Sequence, residues 1–150
     1  MELVAVDLGG TNVRFAIATV QGGRVVTLGE ATTLHTAEHP SLAMAWAAYA
    51  ARAGRSLPRA ASLAVACPIS GDVLKLTNSP WIIRPATLGR ELGVDKLTLI
   101  NDFGAVGHAV AQLPAAELQH IAGPRIDLPQ EGVIGIVGPG TGLGVAHVLR

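Results

Sequence analysis

"VAVDLGGTNVRFAIA", Val4 to Ala18, decides how the chain starts to fold. An apolar run enters a Gly-Gly-Thr turn and a β-branched run leaves it, which is the pattern of two strands joined tightly. Leu3–Leu8 and Val13–Val20 are the expected strands. Gln21–Arg24 is a second hairpin turn, where Gly22 and Gly23 tolerate positive φ, and Val25–Leu28 returns as a third strand.

Further along, Pro40 and Ser41 open a helix over Leu42–Ala53 that Gly54 stops. Ala61–Cys67 is a buried strand, Pro68–Asp72 a turn, and Val73–Thr77 a short strand. Pro85–Leu92 is a helix ended by Gly93, and Leu97–Asn101 another core strand. An apolar helix follows over Asp102–Leu113, then a short one over Ala115–Ile121. Val133–Val137 and Val145–Leu149 are strands around the loop Gly138–Gly144.

This order predicts an α/β fold. A mixed sheet begins with three antiparallel strands, continues with parallel strands reached by helical crossovers, and carries helices on both faces. The last strand-loop-strand does not fit that sheet and reads as the first hairpin of a truncated second domain. The expected division is 1–113 for the first domain and 114–150 for the crossover and the start of the second. "GIVGPGTGLGVAHVL" echoes the opening stretch, as two related halves around a cleft would.

Composition narrows the function classes. The chain has 150 residues, 49% hydrophobic and 15% charged, enough for a packed core. Its formal net charge of +0 offers no basic face for nucleic acid or an anionic membrane. A single cysteine, Cys67, makes no intramolecular disulfide and no zinc cluster. The N-terminus lacks a basic, cleavable leader, and no apolar run reaches membrane-spanning length, so a soluble cytoplasmic protein is expected.

Glycine lets backbone N–H groups approach a ligand, and successive N–H groups form an anion nest. Gly9, Gly10, Thr11 and Asn12 are therefore either a phosphate cradle or only a tight hairpin, and the same choice holds for Gly138–Gly144. The second loop is not G-x-G-x-x-G and leads into a strand, so a Rossmann reading fails; no lysine follows either loop, so neither is a Walker A loop. Asp7 and Asp102 stand at strand ends, where open α/β sheets collect ligands. Asp102 reads as a helix N-cap, a general base, or both. Asp7 reads as a turn-initiating residue or as the holder of a hydrated Mg²⁺.

"DLGGTN", "ACPISGD", "LTNSPW", "INDFGAV" and "GPGTGLGVAH", in this order, resemble bacterial ATP-dependent glucokinases of the hexokinase–actin–Hsp70 superfamily, over Leu3 to His147. The resemblance implies a ribonuclease H-like (actin-like ATPase) small domain and transfer of the ATP γ-phosphoryl group to O6 of glucose. It implies Asp102 as catalytic base and Asn101 as a sugar ligand. Gly9, Gly10, Thr11 and Asn12 would form the first phosphate loop, and Gly138, Gly140, Thr141, Gly142 and Gly144 the second. Asp7 would lie near Mg²⁺, and Pro68, Asn78 and Trp81 on the sugar side. A homodimer is implied for the full-length protein.

Family members are longer and place further sugar ligands and the adenosine pocket beyond this length. The chain is thus expected to be an N-terminal portion, inactive alone and self-associating through apolar surface. The other function class is a non-catalytic sugar-sensing module; repressor relatives carry an N-terminal helix-turn-helix, for which this chain leaves no room. An actin-like or chaperone ATPase is a third reading, against which Asn101–Asp102 with "CPISGD" favours a sugar. Cys67 and Trp46 are expected in the core, His108 and His147 as structural or surface residues, His35, His39 and His120 as solvated, and the charges of 52–59 as a solvated rim.

Overall fold

A computed structural model describes residues 1–139 and 143–150. The chain divides into two compact units, Met1–Asp102 and Phe103–Arg150.

The first unit holds a mixed sheet. β1 (Glu2–Leu8), β2 (Asn12–Gln21) and β3 (Arg24–Leu28) are consecutive antiparallel neighbours. Gly22 and Gly23 sit at φ 55° and 77°, the left-handed pair that a tight hairpin requires. β4 (Thr32–His35) was not anticipated; it pairs with the first half of β2, along the edge whose second half β3 occupies. The Gly29 N–H, donating to the Ile17 carbonyl at 2.9 Å, steers the chain from one half to the other. β5 (Ala60–Val65) lies parallel to β1, and β8 (Lys96–Asn101) parallel to β5, giving the order β3-β2-β1-β5-β8.

One sheet face carries the core. Val4, Val6 and Leu8 of β1 stand beside Phe15 and Val13 of β2 and beside Ala61, Leu63 and Val65 of β5, all buried. Onto this face α1 (Leu42–Ala53) turns Leu42, Ala45, Trp46 and Tyr49, a helical stripe. Tyr49 stacks on Phe15 with ring centroids 4.9 Å apart, and Trp46 meets Phe15 edge-on at 6.1 Å. The Ser41 side chain accepts the Met44 N–H at the helix start, and Gly54 closes the other end at φ 63°. α2 (Pro85–Leu92) adds Leu88 and Leu92 to the same cluster and ends at Gly93.

Between β5 and α2, the expected strand 73–77 is reduced to β6 (Leu74–Lys75), which pairs with an unanticipated β7 (Ile82–Ile83). Trp81 drives this ribbon inward. It is 2% exposed, and its Nε1–H donates to the His39 carbonyl at 2.8 Å. His39 is therefore not solvated as expected, because the Trp81 ring packs beside its backbone; its Nε2 is buried without a partner. His35 and His120 are exposed.

α3 (Asp102–Val110) starts on the last residue of the first unit, runs into the second and ends short of the expected Leu113, the residue that Pro114 keeps out of helix. The next helix is one 3₁₀ turn, Ala115–Glu117. β9 (Val133–Pro139) and β10 (Leu143–Leu149) form an antiparallel hairpin. Gly107 of α3 lets the helix approach Ile136, Ala146 and Val148 on one hairpin face. Among the described residues no helix is long and apolar enough to cross a membrane.

Candidate functional site

Leu8, Val65 and Asn101 stand abreast across β1, β5 and β8. These three strands are parallel, so their carboxyl ends open on one edge of the sheet. Gly9, Ala66 and Asp102 leave it side by side. The first glycine loop and Asp102 are thus two strand spacings apart, about 10 Å.

At the first exit, the loop is held tightly. The Gly9 N–H donates to the Asn12 carbonyl at 2.9 Å. The Thr36 hydroxyl donates to the Gly10 carbonyl at 2.7 Å, and the Thr36 N–H to the Thr11 carbonyl at 2.9 Å. Asn78, from the "TNSPW" turn, lies against the loop so closely that a Cβ on Gly10 would sit 2.9 Å from its Cβ. A glycine is required there by close approach, and two separate sequence motifs meet at that contact. The Asn12 Oδ1 is a buried acceptor with no hydrogen-bond partner. Such an atom marks a place where an outside donor is expected.

Asp7 sits at the end of β1 with its carboxylate exposed. Arg14 is its direct neighbour across the β1–β2 ladder, and the two pair at 2.7 Å. The hairpin symmetry of "DLGGTNVR" contained that pairing, which the reading of glycines alone passed over.

At the third exit, Asn101 Nδ2–H donates to the Cys67 carbonyl at 3.2 Å and to Asp102 Oδ1 at 3.0 Å. The amide ties the end of β8 to the turn after β5 and fixes one oxygen of the neighbouring carboxylate. Burial, and next the Asp102 charge, push the Cys67 thiol above its ordinary pKa. Cys67 is buried, as expected of a core residue. Pro68 follows it into solvent at the same edge.

In the second unit, Gly138 and Gly144 face each other in the β9–β10 ladder, and a Cβ on either would overlap the Phe103 ring. They are strand residues with a packing reason to be glycine. Gly140, Thr141 and Gly142, the remainder of that expected phosphate loop, lie outside the described residues. His108 and His147 are exposed and line a shallow cavity between α3 and β10.

The profile of the Glucokinase family matches residues 3–150. The chain belongs to the glucokinase family. The glucokinase of Zymomonas mobilis is 60% identical over 150 residues, covering 100% of this chain and 46% of that protein. The chain therefore spans about half the length of the relatives it matches. A crystal structure of a glucokinase from an Antarctic psychrotroph superposes with a TM-score of 0.84 at 30% identity, over 99% of this chain and 46% of that one. A ROK family glucokinase from Streptomyces griseus, solved with glucose and AMPPNP, shares the fold at a TM-score of 0.65 and 19% identity, over 99% of this chain and 45% of that one. The α/β, actin-like architecture expected from the glucokinase motifs is thereby shown.

Proposed function

We propose that this chain supplies the catalytic base and the first phosphate loop of a glucokinase, which transfers the γ-phosphoryl group of ATP to O6 of glucose. The observation that carries this is the alignment of Leu8, Val65 and Asn101, which delivers Gly9 and Asp102 to one edge of the sheet. The 60% identity to the Zymomonas mobilis glucokinase supports the same reaction.

Phosphoryl transfer passes through a loose transition state, so the protein's work is positioning and charge stabilisation. Asp102 accepts the O6 proton as the sugar oxygen attacks phosphorus. Asn101, Asn78 and Pro68 line the sugar side, with Asn101 orienting both the base and a hydroxyl. The backbone N–H groups of Gly10, Thr11 and Asn12 hold phosphate oxygens, Gly9 shaping the turn that presents them, and Gly138, Gly140, Thr141, Gly142 and Gly144 are the second set assigned to phosphate.

Magnesium fits the residues present in one way. Among the described residues no cluster of three His, Cys, Asp or Glu could cage a metal ion, whereas Asp7 offers one exposed carboxylate beside the first loop. A single carboxylate, reached through water, suits an ion that arrives on the nucleotide. Bound there, Mg²⁺ would neutralise charge developing on the phosphate oxygens. Asp7 would exchange its Arg14 partner for the hydrated ion. The reaction belongs to the cytoplasm, where ATP is made available, and a homodimer is the assembly we propose for the whole protein.

The test is an assay of the polypeptide as its source cell makes it. Glucose-dependent ADP release with a 6-phosphate product seen by ³¹P NMR is the expected result. Glucose binding without turnover at any ATP concentration would contradict the proposal.

A further inference from the structure

Thr36 belongs to no motif and to no candidate set, yet it is the buried polar residue of the core among the described residues, at 3% exposure. It begins the 3₁₀ turn Thr36–Glu38 directly after β4, the strand that the sequence did not announce. Its hydroxyl donates to the Gly10 carbonyl at 2.7 Å and its N–H donates to the Thr11 carbonyl at 2.9 Å. One residue therefore holds two consecutive carbonyls of the first glycine loop.

The consequence follows from peptide planarity. In a trans peptide the C=O and the next N–H point in opposite directions. With the Gly10 and Thr11 carbonyls drawn to Thr36, the N–H groups of Thr11 and Asn12 turn the other way, away from Thr36. The Gly9 N–H is spent on the Asn12 carbonyl at 2.9 Å and is not offered to a ligand. Asn78 packs against Gly10 on the same loop, where an added Cβ would lie 2.9 Å from its own. Two neighbouring amides aimed outward are an anion nest.

We propose that Thr36 is a positioning residue that sets the first glycine loop in its phosphate-binding orientation, so that the Thr11 and Asn12 amides receive oligophosphate oxygens. This rests on reading the loop as the nucleotide's phosphate site. It adds a determinant that acts on ATP and not on glucose. Serine keeps the hydroxyl, whereas valine keeps the volume and leaves the Gly10 carbonyl unanswered.

The experiment compares wild type, T36V and T36S in the polypeptide as its source cell makes it. T36V is expected to raise KM for ATP about tenfold, the scale of one buried unsatisfied acceptor. The Kd for glucose should change far less than KM for ATP, since the lost bond belongs to the loop and leaves Asn101 and Asp102 in place. T36S should recover most of the loss. An unchanged KM for ATP in a folded T36V, or an equal loss for both substrates, overturns the inference. Inorganic tripolyphosphate distinguishes this failure from that of the kinase reading. An active wild type with an indifferent T36V refutes only Thr36. An inactive wild type that binds tripolyphosphate through this loop refutes only the kinase. Where T36V does not fold, the wild type decides: the ¹⁵N–¹H resonances of Thr11 and Asn12 must shift on adding tripolyphosphate, and unshifted resonances overturn the inference.

Discussion

At the scale of single residues, close approach and buried chemistry make the sharpest predictions. Gly10 has no space for a side chain, because Asn78 Cβ would lie 2.9 Å from a new Cβ and its backbone N 3.2 Å. G10A should therefore cost about 1–3 kcal/mol of stability, as overpacking does, measured by urea denaturation with the Asn78→Gly background as the relieving partner. Cys67 gives a pH prediction. Burial and the Asp102 charge raise its pKa, so the thiolate fraction near neutral pH is smaller than in a free cysteine. Alkylation by iodoacetamide should be slow in the folded protein and should climb only at more alkaline pH than for a free thiol. A folded chain alkylated at the free-thiol rate would show the Cys67 environment to be wrongly drawn. The sequence displayed Asp7, the first glycines, Asn101 and Asp102 because their chemistry sits in short contiguous motifs. It did not display Thr36, whose role comes from a strand pairing, nor the Asp7–Arg14 pair, which needs the hairpin register.

At the scale of elements, boundaries followed local chemistry closely and failed where tertiary contacts decide. α1 and α2 span the expected residues because each has a start signal and a glycine stop: Ser41 and Gly54 for one, Pro85 and Gly93 for the other. S41A should destabilise the first unit by about 1 kcal/mol, the ordinary worth of such a cap, read from a shift in the denaturation midpoint at constant slope. β4 and β7 were illegible, and β6 was read too long, for a common reason. Each is two to four residues long and exists through its partner: β2 for β4, and the buried Trp81 for the ribbon. The Trp81 anchor has its own test. Trp81→Ala should cost about 3–5 kcal/mol, and Trp81→Phe much less, since phenylalanine keeps most of the apolar contact and loses the bond to the His39 carbonyl. Equal losses for both would place the weight on the hydrogen bond and not on packing.

At the scale of the molecule, two properties follow from how the units are built. In the second unit the outward face of the hairpin carries Val133, Val137, Leu143, Val145 and Leu149, each between 51% and 81% exposed. An exposed apolar face of that kind, broken by the Gly135–His147 pair, favours association. The 150-residue chain should sediment with an apparent mass that rises with concentration, and V137T/V145T, which alters one cross-strand pair, should reduce that rise. A concentration-independent monomer would count against it. In the first unit, parallel strands bring Gly9 and Asp102 to one edge, and that convergence was readable only as a consequence of strand order, since the two are far apart in sequence. The proposed function depends on Asp102 acting there as a base. The most direct measurement is therefore a comparison of Asp102→Asn with wild type in the polypeptide as its source cell makes it, recording kcat and glucose affinity on the same preparations. The proposed mechanism predicts that kcat falls by roughly 10²- to 10⁴-fold, while glucose still binds, because the amide keeps the shape and hydrogen-bonding reach of the carboxylate. Turnover that survives in Asp102→Asn would contradict the assignment of the base.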